Sequence, residues 1–427
     1  MSILHGLFGI VVLTGIAWLL STDRKHISWF TVIGAIVFQI ILAIFILKVP
    51  GVDRIFDLIA KGFVKVISFT DFGSDFLFGS FLDKGKVHPA LFNFAFRILP
   101  TIVFFSALTS FLYYIGFLQK VVYAFAWLMK HTLRLSGAES LAAAGNIFLG
   151  QTEAPLLIRP YLNRMTKSEM MSLMTGGMAT IAGGVLASYI GFLGGADPVQ
   201  KQLFAKHLLT ASMMSAPAAI AAAKLLVPER EKFDNSMHLS KDKMGSNVLE
   251  AISNGTSEGL KLAVNVGAML LVFTAFIYLG NYVLELFGGF TGINEMIASN
   301  TSYDKLSFQF ILGYVGAPIA WLIGVCSEDV VLVGQLLGEK TILNEFYAYA
   351  TLGDMKTNAV FAEEKSIIMA TYVLCGFANF ASIGIQIGGI GALVPNRKGL
   401  LSQLGVRALI GGTLACLYTA AIVGMMI

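Results

Sequence analysis

The segment GNIFLGQTEAPLLIRPYL, residues 145–162, constrains this chain more than any other stretch. It is apolar enough to lie in a lipid bilayer, yet it carries Asn146, Gln151 and Glu153. A carboxylate at membrane depth costs about 2.5 to 3.5 kcal/mol on insertion scales, so it normally marks a functional site. A glycine precedes the carboxylate and Pro155 follows it, which predicts a broken helix. Because backbone groups freed in lipid must face a cavity, other protein or a ligand, we expect the substrate site of a membrane transporter here.

Composition agrees with a membrane-embedded chain. Of the 427 residues, 56% are hydrophobic and 13% are charged, whereas soluble domains carry about 25% charged residues. The net charge of +4 comes from loops, and no basic patch is interleaved with aromatic residues, so a nucleic-acid partner is not expected. The three cysteines stand singly in apolar stretches and give no disulfide framework or metal-ligand spacing.

Hydrophobic runs of about 20 residues predict about eight membrane-spanning helices. These are Met1–Leu20, Ser28–Leu47, Leu91–Phe117, Met170–Leu193, Phe204–Val227, Leu260–Phe287, Ile367–Leu393 and Val406–Ile427. Two amphipathic segments, Gly51–Phe81 and Gln119–Arg134, are predicted to lie along the membrane interface. The basic residues that follow the first span predict an uncleaved anchor with the N-terminus outside, and the count of spans places the C-terminus outside as well. Basic cytoplasmic loops are expected at Pro228–Asn254 and Pro395–Gly399.

Two regions have hydrophobic runs that are too short to cross the membrane singly, which predicts two re-entrant hairpins. The first begins at Ser136 and has its tip near Leu149–Glu153, and the second spans Ser307–Tyr349. Glu153 followed by Thr180 in the first half corresponds to Glu345 followed by Asn379 in the second half. The hairpins enter from opposite sides, so the repeats have inverted topology and predict a midplane site.

This order divides the all-α chain into four regions. Residues 1–118 are expected to contain the N-terminal spans and an outer interfacial helix, 119–228 the first repeat, 229–290 a cytoplasmic loop and a long span, and 291–427 the second repeat. Each repeat contains one hairpin and two spans.

Three stretches resemble the concentrative nucleoside transporter family in its shorter prokaryotic form. They are GQTEAPLLI from Gly150, GEKTILNEFYAY at 338–349 and GFANFASIG from Gly376. The resemblance covers nearly the whole chain and includes the spaced signature around Lys340 and Glu345. Tyr347 departs from it, because the family usually has valine at that place.

The resemblance implies a function and a set of site residues. It implies a nucleoside symporter, not an enzyme, that is driven by sodium and works by elevator-type alternating access as a homotrimer in the lipid bilayer. The bilayer would be a bacterial inner membrane, with residues 1–118 and 229–290 as the scaffold and the repeats at 119–228 and 291–427 as the mobile transport part. The nucleobase would be bound by Gly150, Gln151, Thr152 and Glu153 with Val185 on the ring, the ribose by Glu345, Asn379 and Ser382 with Phe377 beside it, and sodium by Asn146, Leu149, Thr180 and Ile181.

The chemistry of these side chains fits such a substrate. Glu345 and Asn379 supply acceptors and a donor for ribose hydroxyls, while Gln151 and Thr152 supply the mixed set that a base edge needs. Sodium beside Gln151 would order the hairpin tip that binds the base, so each ligand would raise the affinity of the other by the same factor.

Other interpretations stay open from the sequence alone. Either glutamate could titrate and couple transport to protons, or could pair with Arg97 or Arg159 in a structural role. Asn146 could cap a half-helix, and the small polar and aromatic residues of the spans could serve only packing. A channel, or an intramembrane enzyme that uses the two glutamates, is a further alternative.

Overall fold

The chain is helical wherever its structure is described. The computed structural model describes residues 2–78, 96, 98–195, 197–237 and 245–427, and every regular element in these ranges is a helix. Five helical segments there are long and apolar enough to cross a membrane, or six if one bent pair counts as a span. These features agree with the expected all-α polytopic membrane protein, while the number of eight crossings stays a prediction.

The N-terminal helices follow the predicted spans closely. They are α1 (Ser2–Leu19), α2 (Trp29–Leu47), α3 (Val52–Phe78), α4 (Leu99–Tyr114) and α5 (Phe117–Leu133). The expected start of the third span at residues 91–95, and the end of the amphipathic segment beyond 78, lie outside the described residues. Helices α4 and α5 meet at 77° at Gly116, whose positive φ of 79° allows the sharp turn that lays α5 across the end of α4.

The first interrupted region has two helix breaks. Helix α6 (Gly137–Asn146) is followed by irregular backbone and then by the short α7 (Ala154–Leu157), which begins with a proline in its first turn. The predicted span Met170–Leu193 is in fact two half-helices, α8 (Lys167–Ala179) and α9 (Gly183–Gly194). The first hairpin tip therefore lies at the expected place, and the following span is broken just after Thr180.

The second interrupted region repeats this arrangement after an additional helix. Helix α13 (Phe308–Leu322) packs against α14 (Val330–Ile342), and α14 is separated from α15 (Glu345–Thr357) by two residues. The predicted hairpin end at Tyr349 is thus too early, because α15 continues to Thr357. The span predicted at Ile367–Leu393 is also broken, into α16 (Glu364–Leu374) and α17 (Phe380–Leu393).

The break between α16 and α17 contacts the end of α8 at a glycine. Gly376, at the break after α16, has a φ of 153°, and a Cβ added there would lie 2.7 Å from the carbonyl oxygen of Met178 in α8. Only a residue without a side chain fits between the two backbones. The two half-helix breaks are therefore packed directly against each other.

Two loop predictions are corrected by helix starts. The loop expected at Pro228–Asn254 is shorter, because α11 (Val248–Thr291) begins within it and is capped by the Asn247 side chain. The basic loop expected at Pro395–Gly399 ends early, since α18 (Lys398–Gly424) begins there. The remaining described helices are α10 (Pro198–Leu226) and α12 (Ile293–Asn300).

Burial separates a central group of helices from a peripheral one. In their most apolar windows, α10 is 89% buried and the segment that contains α18 is 78% buried, whereas only 17% of α11 is buried. Helices α8, α10 and α18 pack against one another, and α11 packs mainly along α4. The core thus consists of the helices around the two breaks, and α4 and α11 flank it.

Candidate functional site

A cavity of about 470 Å³ lies where the two hairpin tips and the two broken helices meet. Its walls are completed by α11. All of the predicted substrate-binding residues line this cavity, namely Gly150, Gln151, Thr152, Glu153, Val185, Glu345, Phe377, Asn379 and Ser382. The structure therefore brings together residues that are more than 200 positions apart in the sequence.

A chain of hydrogen bonds fixes Gln151 at one side of the cavity. Its Nε2 donates to Oγ of Ser382 over 3.1 Å, and its Oε1 accepts from Nε2 of Gln386 over 3.0 Å. The same nitrogen of Gln386 also donates to the Met174 carbonyl over 3.0 Å. A Cβ at Gly177 would lie within 3 Å of both glutamine side chains, so this glycine lets them meet. The network joins the first hairpin tip to the second repeat.

Glu345 lies at the opposite side of the cavity. Its side chain is 3% exposed, and its two oxygens accept from Nδ2 of Asn379 over 2.7 Å and from the Tyr189 hydroxyl over 3.2 Å. Asn379 is itself held by its oxygen, which accepts from the Ser382 backbone N–H at the start of α17. The carboxylate and the amide are thus oriented by the helix ends on which they stand.

Glu153 is less constrained than Glu345. One of its oxygens accepts from the Gly150 backbone N–H over 3.3 Å, and the side chain is half-buried at the cavity wall. Among the described residues, neither glutamate takes part in an ion pair, and Arg97 lies outside them. In the described part of the chain, both carboxylates therefore accept hydrogen bonds from neutral groups only. Both can also accept hydrogen bonds from a ligand in the cavity.

The predicted sodium residues gather beside the first hairpin tip. Asn146 is fully buried at the end of α6, and neither atom of its side-chain amide has a hydrogen-bond partner among the described residues. A Cβ at Gly176 would lie 2.7 Å from its Nδ2, which places the amide against the last turn of α8. The Thr180 hydroxyl donates to the Gly176 carbonyl over 2.8 Å. Asn146 therefore does not cap a helix by a side-chain hydrogen bond, and its oxygen is available as a ligand.

Backbone contacts connect this place to the hairpin tip. The Gly183 N–H donates to the Phe148 carbonyl over 3.4 Å, and Leu149 and Ile181 are each 1% exposed. Within the described ranges, no group of three or more His, Cys, Asp or Glu side chains could hold a metal ion. The available donors are neutral oxygens, which suit a hard monovalent cation such as sodium.

Sequence reasoning missed several groups of the site. Tyr189, which is fully buried and bonded to Glu345, and Gln386, which bonds Gln151, were not predicted. Asn265 and Met269 of α11 also line the cavity. The only signal for Gln386 and Asn265 was a neutral amide within an apolar helix, since nothing in the sequence shows which way it faces.

Two buried carboxylates outside the predicted site, Glu139 and Asp329, have structural partners. Glu139 forms an ion pair with Lys224 over 2.8 Å, and both side chains are buried. Asp329 accepts from the backbone N–H groups of Ala362 and Glu363. These carboxylates stabilise connections between helices and do not line the cavity.

Three family profiles match the chain. One described as Na⁺ dependent nucleoside transporter C-terminus covers residues 207–424, and one described as Na⁺ dependent nucleoside transporter N-terminus covers residues 8–81. A third, described as nucleoside recognition, covers residues 95–196. Together they extend over most of the chain.

Curated relatives match over almost the whole chain. A protein of Haemophilus influenzae described as an uncharacterized transporter is 42% identical over 100% of this chain and 98% of its own length. Human solute carrier family 28 member 3 is 39% identical over 98% of this chain, and rat sodium/nucleoside cotransporter 1 is 40% identical over 98%. This chain spans 59% of the human protein and 63% of the rat protein.

Solved structures of one transporter share the fold. CNTnw in an inward-facing substrate-bound state has a TM-score of 0.88 and 38% identity, with 100% of this chain and 99% of that chain covered. A CNTnw variant in an outward-facing state has a TM-score of 0.87 and 36% identity, with 100% and 98% covered. The same architecture is thus compatible with openings on either side of the membrane.

Proposed function

This chain belongs to the sodium-dependent nucleoside transporter family, and from that premise we propose that it imports nucleosides such as uridine together with sodium. The observation that carries the proposal is the cavity between the hairpin tips, with Gln151 at one side and Glu345 at the other. Its volume of about 470 Å³ lies within the range of about 300 to 1,000 Å³ typical of small-molecule sites.

The polar groups of the cavity suit the two parts of a nucleoside. A ribose hydroxyl can donate to Glu345, whose present donors are protein side chains, and can accept from Asn379. The amide of Gln151 and the hydroxyl of Thr152 each offer a donor and an acceptor to a base edge. Val185 and Phe377 add apolar surface for the rings. We therefore propose for these residues the roles that the resemblance implies.

Sodium coupling is supported by the unpartnered amide of Asn146. We assign the ion to the Asn146 and Thr180 oxygens, with the backbone carbonyls of Leu149 and Ile181 completing the set. An ion bound there would hold the hairpin tip against the end of α8, which also positions Gln151. Sodium and nucleoside would then bind with positive, reciprocal coupling.

Alternating access is proposed to follow an elevator mechanism. The regions 119–228 and 291–427 would form the moving part, and the regions 1–118 and 229–290 would form a scaffold. The contrast between the buried core helices and the exposed α11 supports this division. Large apolar side chains of α11 such as Phe276 and Tyr278 are more than 60% exposed, so lipid or neighbouring copies in a homotrimer would cover them. We place the protein in a bacterial inner membrane with both termini outside.

The deciding experiment is uptake of labelled uridine into liposomes that contain the purified protein. An inward sodium gradient is applied in one set and an inward proton gradient in another. We expect uptake to follow the sodium gradient and to saturate with uridine, as a carrier requires. Uptake driven only by protons would transfer the coupling to Glu153 or Glu345, and no uptake under either gradient would refute nucleoside transport.

A further inference from the structure

Lys340 is a fully buried lysine in the last turn of α14, with an exposure of 0%. Within the described ranges, no carboxylate lies within ion-pairing distance of its Nζ. The Nζ instead donates to the Val373 carbonyl over 2.9 Å and to Sγ of Cys416 over 3.2 Å. A buried ammonium group without a carboxylate partner is costly, so its place in the second hairpin needs a reason.

One acceptor of Nζ lies at the end of the half-helix α16, and the other, Sγ of Cys416, is itself hydrogen-bonded to that end. Val373 lies in the last turn of α16, and Sγ of Cys416 donates to the carbonyl of Cys375, the residue at its C-cap, over 3.1 Å. The Tyr349 hydroxyl donates to the Thr371 carbonyl over 2.8 Å. The last carbonyls of a helix lack intrahelical partners and carry partial negative charge. Lys340 therefore sits where a cation is electrostatically favoured.

The first repeat has the same geometry with a different occupant. Asn146 stands in the last turn of the first hairpin helix and faces the end of the half-helix α8, as Lys340 stands in the last turn of α14 and faces the end of α16. In the first repeat the side-chain amide has no hydrogen-bond partner within the described ranges, and this is the site that we assign to sodium. In the second repeat an ammonium group already binds the Val373 carbonyl at this place.

We propose that Lys340 is a built-in cation that takes, in the second repeat, the place that the sodium ion takes in the first. Its ammonium holds the end of α16 and thereby positions Asn379, which follows the same break, against Glu345. Lys340 is a positioning residue for the ribose side of the cavity. This inference rests on the proposed nucleoside site.

The two sides of the cavity then differ in what assembles them. The ribose side is held by a covalently attached cation and is present in the absence of ions. The base side depends on an exchangeable ion beside the first hairpin tip. Because Asn146 in the first repeat corresponds to Lys340 in the second, only the first of these two positions would bind an exchangeable cation.

The test removes the ammonium and supplies it again from solution. The variant Lys340→Ala lacks the three carbons and the nitrogen that n-propylammonium contains, so this ion can complete the missing side chain. We expect uridine affinity at saturating sodium to fall about tenfold or more, since hydrogen bonds from charged donors are the strong ones. n-Propylammonium should restore it, whereas 1-propanol, which has the same shape and no charge, should not.

Lys356 offers a matched control. Its Nζ donates to the Leu193 carbonyl over 2.9 Å at the end of α9, so it makes the same kind of contact away from the cavity. We expect Lys356→Ala to bind uridine within twofold of the unmodified protein. Wild-type affinity in Lys340→Ala, or equal restoration by 1-propanol, would overturn the inference.

A second pair of variants covers failure of Lys340→Ala to fold. Lys340→Arg keeps the charge, and Lys340→Met keeps most of the apolar chain without the charge. Higher uridine affinity in the arginine variant supports the built-in cation, and equal affinity in the two overturns it. If the unmodified protein does not bind uridine, the proposed function fails. If the unmodified protein binds uridine and the Lys340 variants bind it equally well, only the inference about Lys340 fails.

Discussion

Replacing Glu345 by glutamine tests the ribose side of the cavity most directly. The substitution keeps the shape of the side chain and one oxygen acceptor, but it removes the charge. Glu345 is 3% exposed and is held by Asn379 and Tyr189, so the glutamine is expected to occupy the same place. Burial of a neutral amide costs less than burial of a carboxylate, so the thermal stability without substrate should not fall.

The expected loss follows from the hydrogen bonds of the substrate. A bond to a charged acceptor contributes about 1.5 to 3 kcal/mol, and one between neutral groups about 0.5 to 1.5 kcal/mol. If two ribose hydroxyls lose this difference, binding weakens by about 2 to 3 kcal/mol, which is about 30- to 150-fold in Kd. Uptake from uridine concentrations near the wild-type Kd would then fall by more than about tenfold.

The assay is uridine binding at saturating sodium, followed by uptake into liposomes. Glu339→Gln is the matched control, because Glu339 is also a buried carboxylate of the second hairpin, 1% exposed and bonded to Gln335 over 2.8 Å, but does not line the cavity. We expect the control to keep its affinity within about threefold, or about 0.6 kcal/mol. Near-normal uptake by Glu345→Gln, with both variants folded, would refute the assignment of the ribose to Glu345.

Three further substitutions test other parts of the structure. Asn146→Ala removes a proposed sodium ligand and should raise the sodium concentration for half-maximal uridine uptake by about tenfold or more, or about 1.4 kcal/mol; an unchanged sodium titration would exclude this ligand. Gly376→Ala would place a methyl group 2.7 Å from the Met178 carbonyl oxygen, so little folded protein should elute in gel filtration. A wild-type yield of folded protein would contradict the close contact between the two backbones. Lys224→Met leaves Glu139 buried without its ion-pair partner, which should lower the free energy of unfolding by about 3 to 5 kcal/mol. The measurement is Tm, which should fall in Lys224→Met and be partly restored when Glu139→Gln is added. No restoration would argue against the pair.

The sequence indicates the site where charge breaks an apolar pattern. Glu153 and Glu345 are conspicuous because a carboxylate at membrane depth usually marks a functional site, and both are found at the cavity. Tyr189 and Gln386 were missed, since a neutral polar residue in a membrane helix serves packing as often as binding. Their roles follow from partners that are about 150 to 240 positions away, which local patterns do not show.

The ends of a helix could be predicted where a hydrophobic run sets them. They could not be predicted where contacts with distant parts of the chain set them. The span Trp29–Leu47 was expected almost to the residue because its apolar run ends in charged residues. The break after Thr180 lies within a continuous weakly polar stretch without proline. It is compensated by contacts from the other repeat, such as that of Gly376 with Met178, which only the folded chain contains. The start of α11 was missed because its first turns are polar and lie outside the hydrophobic run.

The contact between Gly376 and the Met178 carbonyl also limits how the cavity can open. If the cavity opened by separation of the two repeats, this backbone contact and the hydrogen bond between the Gln151 and Gln386 side chains would break in every transport cycle. A covalent staple between the repeats near this contact should therefore leave turnover intact. A staple from either repeat to α11 should stop it, because the proposed elevator mechanism moves the repeats along their boundary with α11.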